Sequence, residues 1–263
     1  MNAPLVSYAR EGRIAAIRLN RPEKLNAIND DLAVELRRAA ARFDDDADAW
    51  VAVLSGEGRA FSTGADVRQR HLRSDEELRA LDGPVGTDAA LDDVFMNCSA
   101  WKPVIVAVHG YAIGLALSLM LDADIAVVSR STRMQCLQTG RGLSPAKYWA
   151  KFAVRGHHAF ADDVCLTGRW FGPEEAHRAG VIARVVDDGD HLDAAYGVAK
   201  EILACPPLGV REGTRMRRMS ISHLESDLAV IRRGRPSLHL TEDFRESARS
   251  FAEKREPRPW TGR

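Results

Sequence analysis

A long apolar segment with glycines inside it, Val104 to Leu121, constrains the fold more than any other part of the chain. Its length would allow a membrane-spanning helix, but His109, Gly110 and Gly114 interrupt it and Asp122 follows it directly. Short apolar runs separated by glycine are typical of buried strands and helices joined by turns. We therefore predict a buried strand, a tight turn and a buried helix here, and no membrane span.

Short apolar runs elsewhere alternate with helical patterns. Apolar positions recur with the spacing of a surface helix in Asn29 to Phe43. Strands are predicted at Arg13 to Leu19, Trp50 to Leu54, Val104 to Val108 and Ile125 to Val128. Strands that alternate with helices predict an α/β fold.

Two changes in composition suggest how the chain is organised. Residues 68–100 are rich in charge around Asp82-Gly83-Pro84, so we predict a mobile loop followed by a helix. The double proline Pro206-Pro207 precedes a helical and highly charged stretch. We expect a core over residues 1–205 and a helical C-terminal region over residues 206–263.

Charge and cysteine content argue against several classes of function. Lysine plus arginine equals aspartate plus glutamate, 37 of each, so the balance gives no reason to expect a nucleic acid partner. No basic and apolar leader opens the chain, so we expect no signal peptide.

We also expect no metal site, because no carboxylate accompanies His157-His158 at metal-ligand spacing. The four cysteines are widely spaced and predict buried, reduced thiols in a cytoplasmic protein: Cys98, Cys136, Cys165 and Cys205.

Two glycine-containing turns could carry chemistry. Ser55 to Val67 lacks the G-x-G-x-x-G dinucleotide pattern, but its glycines allow backbone N–H groups to approach a ligand oxygen. His109 to Ser118 turns into an apolar helix whose first N–H groups favour negative charge. Taken singly, each segment is also explained as an ordinary turn or a packing helix.

Seven segments occur in a characteristic order that covers nearly the whole chain. They are LNRPEKLNAIN (19–29), GEGRAFSTGADV (56–67), VIVAVHGYAIG (104–114), DADIAVVS (122–129), RGLSP (141–145), LTGRWFGPEEAHRAGVIARVV (166–186) and SFAEKREPRPWTG (250–262). In this order they resemble the crotonase (enoyl-CoA hydratase/isomerase) superfamily. The resemblance implies an α/β spiral of ββα units, a helical C-terminal region that builds homotrimers or homohexamers, and a coenzyme A thioester as ligand.

The resemblance also implies roles for individual residues. Ala65 and Leu115 match the oxyanion-hole positions, which act through backbone N–H groups, although Leu115 stands where the family commonly has glycine. Coenzyme A would enter as part of the substrate, with no permanently bound cofactor. Its contacts would be Lys24, Leu25, Ala27, Asp66, Val67, Phe251 and Lys254, of which the two lysines are equally explained as solvated surface charge.

The chain departs from the family at the acidic positions. Ser118 and Gln138 match the two glutamates of a typical hydratase, and Ala146 matches the aspartate of some isomerases. None of these side chains can act as a carboxylate base. Tyr148 and Trp149 replace two glycines, and we expect these large side chains to fill pocket volume.

Four polar residues are alternatives to the missing acids. They are His71, Arg141, Lys147 and Tyr148, and for each of them surface solvation or packing is the competing explanation. His109 is expected to be structural.

Three functions therefore stay open. The first is an acyl-CoA enzyme of the hydratase/isomerase type with a non-standard acid and base. The second is a slow hydratase in which Ser118 and Gln138 hold the water. The third is a non-catalytic acyl-CoA-binding or regulatory protein.

Overall fold

A computed structural model describes residues 3–81, 91, 94–96, 98–232 and 238–263, with side chains described outside 222–232. The strands are β1 (Val6–Glu11), β2 (Ile14–Leu19), β3 (Val51–Gly56), β4 (Val104–Val108), β5 (Tyr111–Ile113), β6 (Ile125–Ser129), β7 (Arg133–Gln135), β8 (Trp170–Phe171) and β9 (Arg184–Val186). The α-helices are α1 (Asp30–Asp45), α2 (Val67–Arg70), α3 (Asp75–Ala80), α4 (Leu115–Asp122), α5 (Ala146–Arg155), α6 (His158–Thr167), α7 (Pro173–Arg178), α8 (His191–Leu203), α9 (Pro207–Arg232) and α10 (Glu242–Glu253).

Two sheets form the framework. The larger has the order β1-β2-β3-β4-β6-β9 and is parallel apart from the β1–β2 hairpin. The smaller has the order β5-β7-β8. Pairs of strands followed by a helix recur as β1-β2-α1, β4-β5-α4 and β6-β7-α5. The prediction of an α/β fold with ββα units is confirmed.

The apolar segment folds as a buried strand, two glycine turns and a buried helix. Gly110 lies between β4 and β5 with a φ of 65°, and a Cβ there would lie 2.2 Å from the carbonyl oxygen of Arg59. Gly114 lies between β5 and α4. The prediction missed only the short strand β5 between the two turns. No helix in the described part of the chain is long and apolar enough to cross a membrane.

Both faces of the larger sheet are covered. Along β3, Val51 and Val53 face a cluster that includes Val198 of α8, whereas Ala52 and Leu54 belong to the larger cluster on the opposite face. This two-sided burial explains the continuous apolar runs of β3 and β4, which are typical of parallel strands. A buried valine or leucine contributes about 1.5–3 kcal/mol relative to an exposed one.

A buried carboxylate attaches the C-terminal helix α9 to the sheet. Asp124, just before β6, accepts hydrogen bonds from the backbone N–H of Val104, Nη1 of Arg217 and Nη2 of Arg218, each at 2.8 Å. Arg218 is 1% exposed, so loss of Asp124 would leave a buried cation unpaired. The helix begins at Pro207, and the division into 1–205 and 206–263 stays a prediction.

The loop predicted over residues 68–100 is helical in its first part, which corrects the expectation. A capping box between Ser74 and Glu77 begins α3. The buried Arg70 of α2 pairs with Asp30 of α1 at 3.0 Å. The Asp82-Gly83-Pro84 turn lies outside the described residues.

Candidate functional site

A cleft of about 920 Å³ opens where the two glycine-containing turns meet. Its walls come from the loop before α1, the turn leading into α2, the start of α4, the turn before α5, and residues of β8 and α10. The exposed surface of the lining is mainly apolar, although ten of the lining residues are polar or charged. An apolar cleft with polar groups that converge on it is typical of small-molecule sites. The lining includes nine of the residues predicted for the site: Lys24, Leu25, Ala27, Ala65, Asp66, Val67, Leu115, Gln138 and Phe251.

Gly64 allows the two turns to approach each other. It has a φ of 83°, and a Cβ there would lie 2.3 Å from the carbonyl oxygen of Ile113 and 3.3 Å from the backbone nitrogen of Leu115. Separations below 3 Å are not tolerated by real side chains, so only glycine fits at this position. Ala65 and Leu115 are thereby brought into the same cleft.

The backbone N–H groups of Ala65 and Leu115 have no acceptor within the described part of the chain. The carbonyl oxygen of Gly64 accepts a hydrogen bond from the N–H of Ile28, and the N–H of Asp66 donates to the carbonyl oxygen of Ile28. The N–H of Ala65, between them, makes no such bond. Leu115 is the first residue of α4, where N–H groups have no partner in the helix. Two such donors in one cleft can stabilise an anionic oxygen.

A strained loop presents the residues predicted to contact coenzyme A. Leu25 and Asn26 have φ values of 50° and 53°, in the left-handed region that few residues other than glycine adopt. The buried Asn26 side chain holds this conformation: its Oδ1 accepts from Arg21 N, and its Nδ2 donates to the carbonyl oxygens of Glu57 and Ala60, all at 2.8 Å. Asn26, which holds this loop, was not among the residues predicted from the sequence.

Asp66 and Lys254 differ in their surroundings. The Asp66 carboxylate accepts a hydrogen bond from Nη1 of Arg21 at 2.8 Å. Burial raises the pKa of Asp66, but the bond and charge of Arg21 outweigh it, so the pKa lies below its usual value. Lys254 is exposed beyond α10 and is not among the cleft residues, which favours the surface-charge alternative for it.

The positions of the two missing glutamates are not equivalent. Gln138 lines the cleft, with its Nε2 atom 3.5 Å from where a Cβ on Gly114 would lie. Ser118 is 1% exposed inside α4 and is not among the cleft residues. Its Oγ accepts a hydrogen bond from Nζ of Lys151 at 3.2 Å, and Lys151 pairs with Asp122 at 2.5 Å. The structure therefore places Ser118 beside a buried ion pair.

The two large residues at the start of α5 point in different directions. Tyr148 is 8% exposed and lines the cleft, as expected. Trp149 does not line it, because its Nε1 donates to Oδ1 of Asp162 at 2.6 Å and its ring packs edge-on against His158. The expectation that Trp149 fills pocket volume was wrong. Ala146 and Lys147 are also absent from the cleft lining.

His71 lies in the cleft wall at the end of α2, in a helical segment and not in the predicted mobile loop. Its ring packs against Phe244 of α10 at a centroid distance of 5.4 Å. Burial, followed by the charges of Arg141 and Arg70, lowers the pKa of His71 to about 4. The imidazole is therefore neutral near pH 7.

His109 and Arg141 are the two remaining polar residues singled out from the sequence, and the structure shows what each contacts. His109 is structural, as predicted: its Nε2 lies 2.8 Å from the carbonyl oxygen of Gly58, and its ring stacks on His191. Arg141 lines the cleft, with its guanidinium carbon 4.2 Å from the centre of the Phe251 ring. No group of three or more His, Cys, Asp or Glu side chains in the described residues could hold a metal ion.

Comparison with known proteins shows the family of the chain. Residues 9–263 match the family model described as enoyl-CoA hydratase/isomerase. The chain belongs to this family. As a member it is a lyase- or isomerase-like acyl-CoA enzyme.

Relatives of the family resemble the chain over almost its whole length. A probable enoyl-CoA hydratase of Mycobacterium bovis is 34% identical over 96% of this chain and 91% of its own length. A carnitinyl-CoA dehydratase of Escherichia coli O157:H7 is 32% identical over 97% of both chains. The crystal structure of an enoyl-CoA hydratase/isomerase from Mycobacterium paratuberculosis superposes with a TM-score of 0.82 at 29% identity, covering 94% of this chain and 98% of that one. The expected crotonase-like fold is confirmed.

His71 should make the folded state sensitive to acid. Its pKa is about 4 in the folded state, against the ordinary histidine value of 6.5 expected for the unfolded chain. Below pH 6.5 the unfolded state binds more protons, so stability should fall as the pH drops from 6.5 to 4, by up to about 3 kcal/mol from this group. Urea unfolding at pH 7 and pH 4.5 should show a smaller acid loss for His71→Gln than for the wild type. The same change at the exposed His158 is the control, and an equal acid loss in all three proteins would contradict the assignment.

Proposed function

We propose that the chain binds an acyl-CoA thioester in this cleft and stabilises a thioester enolate through the backbone N–H groups of Ala65 and Leu115. The observation that carries the proposal is that both N–H groups lack an acceptor among the described residues and line the same cleft. Fixed donors aimed at a developing oxyanion are typically the largest single contribution to catalysis of this kind.

The coenzyme A part of the substrate would lie against the loop held by Asn26. This loop contributes Lys24, Leu25 and Ala27 to the cleft, with Lys24 as its basic side chain. Basic side chains suit the phosphates of coenzyme A, which would enter and leave with the substrate. A cytoplasmic location is part of the proposal, supported by the three buried free thiols Cys98, Cys136 and Cys165. The fourth thiol, Cys205, is exposed, so the expectation that all four are buried was wrong.

The reaction would rely on enolate stabilisation more than on an activated water. Asp66 is the carboxylate among the described cleft residues, and it is paired with Arg21. Isomerisation, decarboxylation or C–C cleavage fits this cleft better than efficient hydration, with the phenol of Tyr148 as a candidate proton donor.

We further propose that the protein assembles as a homotrimer or homohexamer. In its described part, helix α9 exposes the large apolar side chains Leu208, Met216 and Met219, which a partner subunit could cover. The Ile221 side chain of the same helix is buried in its own subunit. Light scattering should give about three or six times the mass of 29.0 kDa, and a monomeric mass at micromolar concentration would contradict the assembly.

Acyl-CoA should stabilise the folded protein. A ligand that binds only the native state adds RT ln(1 + [L]/Kd), which is about 2.7 kcal/mol at one hundred times Kd. Thermal unfolding should shift upward with acyl-CoA esters, and the free fatty acid of the same chain length should have no effect. Equal shifts with both, or none with any ester, would refute the proposal.

Hydration of crotonyl-CoA should be slow in the wild type and faster in Gln138→Glu. General base catalysis contributes about a hundredfold to ten-thousandfold, and Gln138 lines the cleft near the start of α4. Gln69→Glu is a matched control, because Gln69 also lines the cleft and its Oε1 only accepts a bond from Asp30 N, which a glutamate would keep.

The measured quantity is kcat/KM for crotonyl-CoA. No gain is expected for Gln69→Glu. A wild-type kcat/KM near the diffusional ceiling of about 10⁸ M⁻¹s⁻¹ would contradict the prediction of slow hydration. It would show that a general base other than the cleft residues named above activates the water.

A further inference from the structure

Arg141 is a half-buried cation in the cleft wall that no described carboxylate neutralises. Its Nη1 donates to the carbonyl oxygen of Ser247 at 3.1 Å, its plane rests on Phe251, and its Nε is buried with no hydrogen-bond partner among the described residues. Burial lowers the pKa of Arg141, and no acidic side chain in the described part of the chain counteracts that effect. Removing a cation from water without an anionic partner is unfavourable.

Four other arginines near the cleft are paired. Arg21 bonds to Asp66, Arg70 and Arg73 bond to Asp30, and Arg245 bonds to Asp75. Each of these carboxylates is already used by the protein itself. Arg141 therefore differs from these four in having a charge that is available to a ligand. Arg68 of the lining also has no ion pair among the described residues, but it is exposed, whereas Arg141 is half buried.

The position of Arg141 is on the side of the cleft where the acyl group would lie. It belongs to the single turn of 3-10 helix, Thr139–Arg141, that directly follows Gln138. Gln138 in turn lies against Gly114, next to the predicted oxyanion donor Leu115. The predicted coenzyme A loop, residues 21–27, is a different wall of the cleft, whereas Phe251, which is also predicted to contact coenzyme A, packs on the Arg141 guanidinium.

Two leucines next to this turn make the nearby wall apolar. Leu137 precedes Gln138 and Leu143 follows Arg141, and both line the cleft. An acyl chain could lie along these apolar side chains and place its far end at the guanidinium.

His71 supplies a second polar group next to Arg141. Its Nδ1 atom is buried and has no hydrogen-bond partner among the described residues. His71 also lines a neighbouring cavity of about 320 Å³, where Arg73 pairs with Asp30, Arg245 pairs with Asp75, and Arg249 has no ion pair among the described residues. Arg249 therefore adds an unpaired positive charge on this side of the cleft.

We propose that the acyl group of the substrate ends in a carboxylate, which pairs with the Arg141 guanidinium beside His71. This inference rests on the proposed acyl-CoA binding and names its substrate class: coenzyme A thioesters of dicarboxylic acids. A methyl-terminated chain would leave the guanidinium unpaired, and a chain ending in trimethylammonium would be repelled by it.

The test compares thioesters of equal chain length by calorimetric titration of the full-length protein. Glutaryl-CoA should bind about tenfold or more tightly than valeryl-CoA, and adipyl-CoA more tightly than hexanoyl-CoA by a similar factor. Arg141→Gln should bring both ratios to about one while leaving the Kd of the methyl-terminated esters nearly unchanged. Arg141→Lys keeps the charge and should retain part of the preference.

Arg68→Gln is the matched control, since Arg68 also lines the cleft but is exposed. It should leave the two ratios unchanged. A wild-type ratio near one would overturn the inference. An equal loss of affinity for free coenzyme A and every ester in Arg141→Gln would also overturn it, because Arg141 would then bind the coenzyme.

Absence of binding by any ester would instead refute the proposed function itself, and the inference with it. Circular dichroism of each variant confirms that the comparison is made between folded proteins. If Arg141→Gln does not fold, the ratios of Arg141→Lys and the wild type decide the outcome.

Discussion

The site depends on one close backbone approach, at Gly64. The carbonyl of Ile113 comes so near to this glycine that a methyl group would lie 2.3 Å from its oxygen. Because β5 and α4 follow directly from β4, the central strand of the larger sheet fixes one side of this contact. The turn after β3 fixes the other, so two neighbouring parallel strands determine where the two unpaired N–H groups lie.

Much of the framework could be predicted from the sequence because its signals are local. Glycines inside an apolar run marked the turns around β5, and continuous apolar runs marked β3 and β4. Strands as short as β7 and β8 were missed, since three residues or fewer show no periodicity. The charge of α2 and α3 hid their helical structure, which a capping box and a buried arginine stabilise.

Residues whose placement depends on the backbone lie in the cleft as expected, whereas the surroundings of residues that depend on distant side chains were not predicted. Ala65 and Leu115 were assigned by the family resemblance and both line the cleft, while their role as oxyanion donors stays a prediction. The buried setting of Ser118 depends on Lys151, which belongs to another helix. The direction of Trp149 depends on Asp162, and the neutral state of His71 depends on burial between α2 and α10. None of these partners could be identified from local sequence.

The ion pair beside Ser118 couples position 118 to two other residues. Lys151 serves both the Ser118 hydroxyl and the Asp122 carboxylate in a site without access to water. A glutamate at position 118 would bring a second carboxylate to the same ammonium group, and buried like charges disfavour each other's ionised form. The effect of an acid at position 118 therefore depends on Lys151 and Asp122, and the free energies of substitutions at these three positions would not be additive.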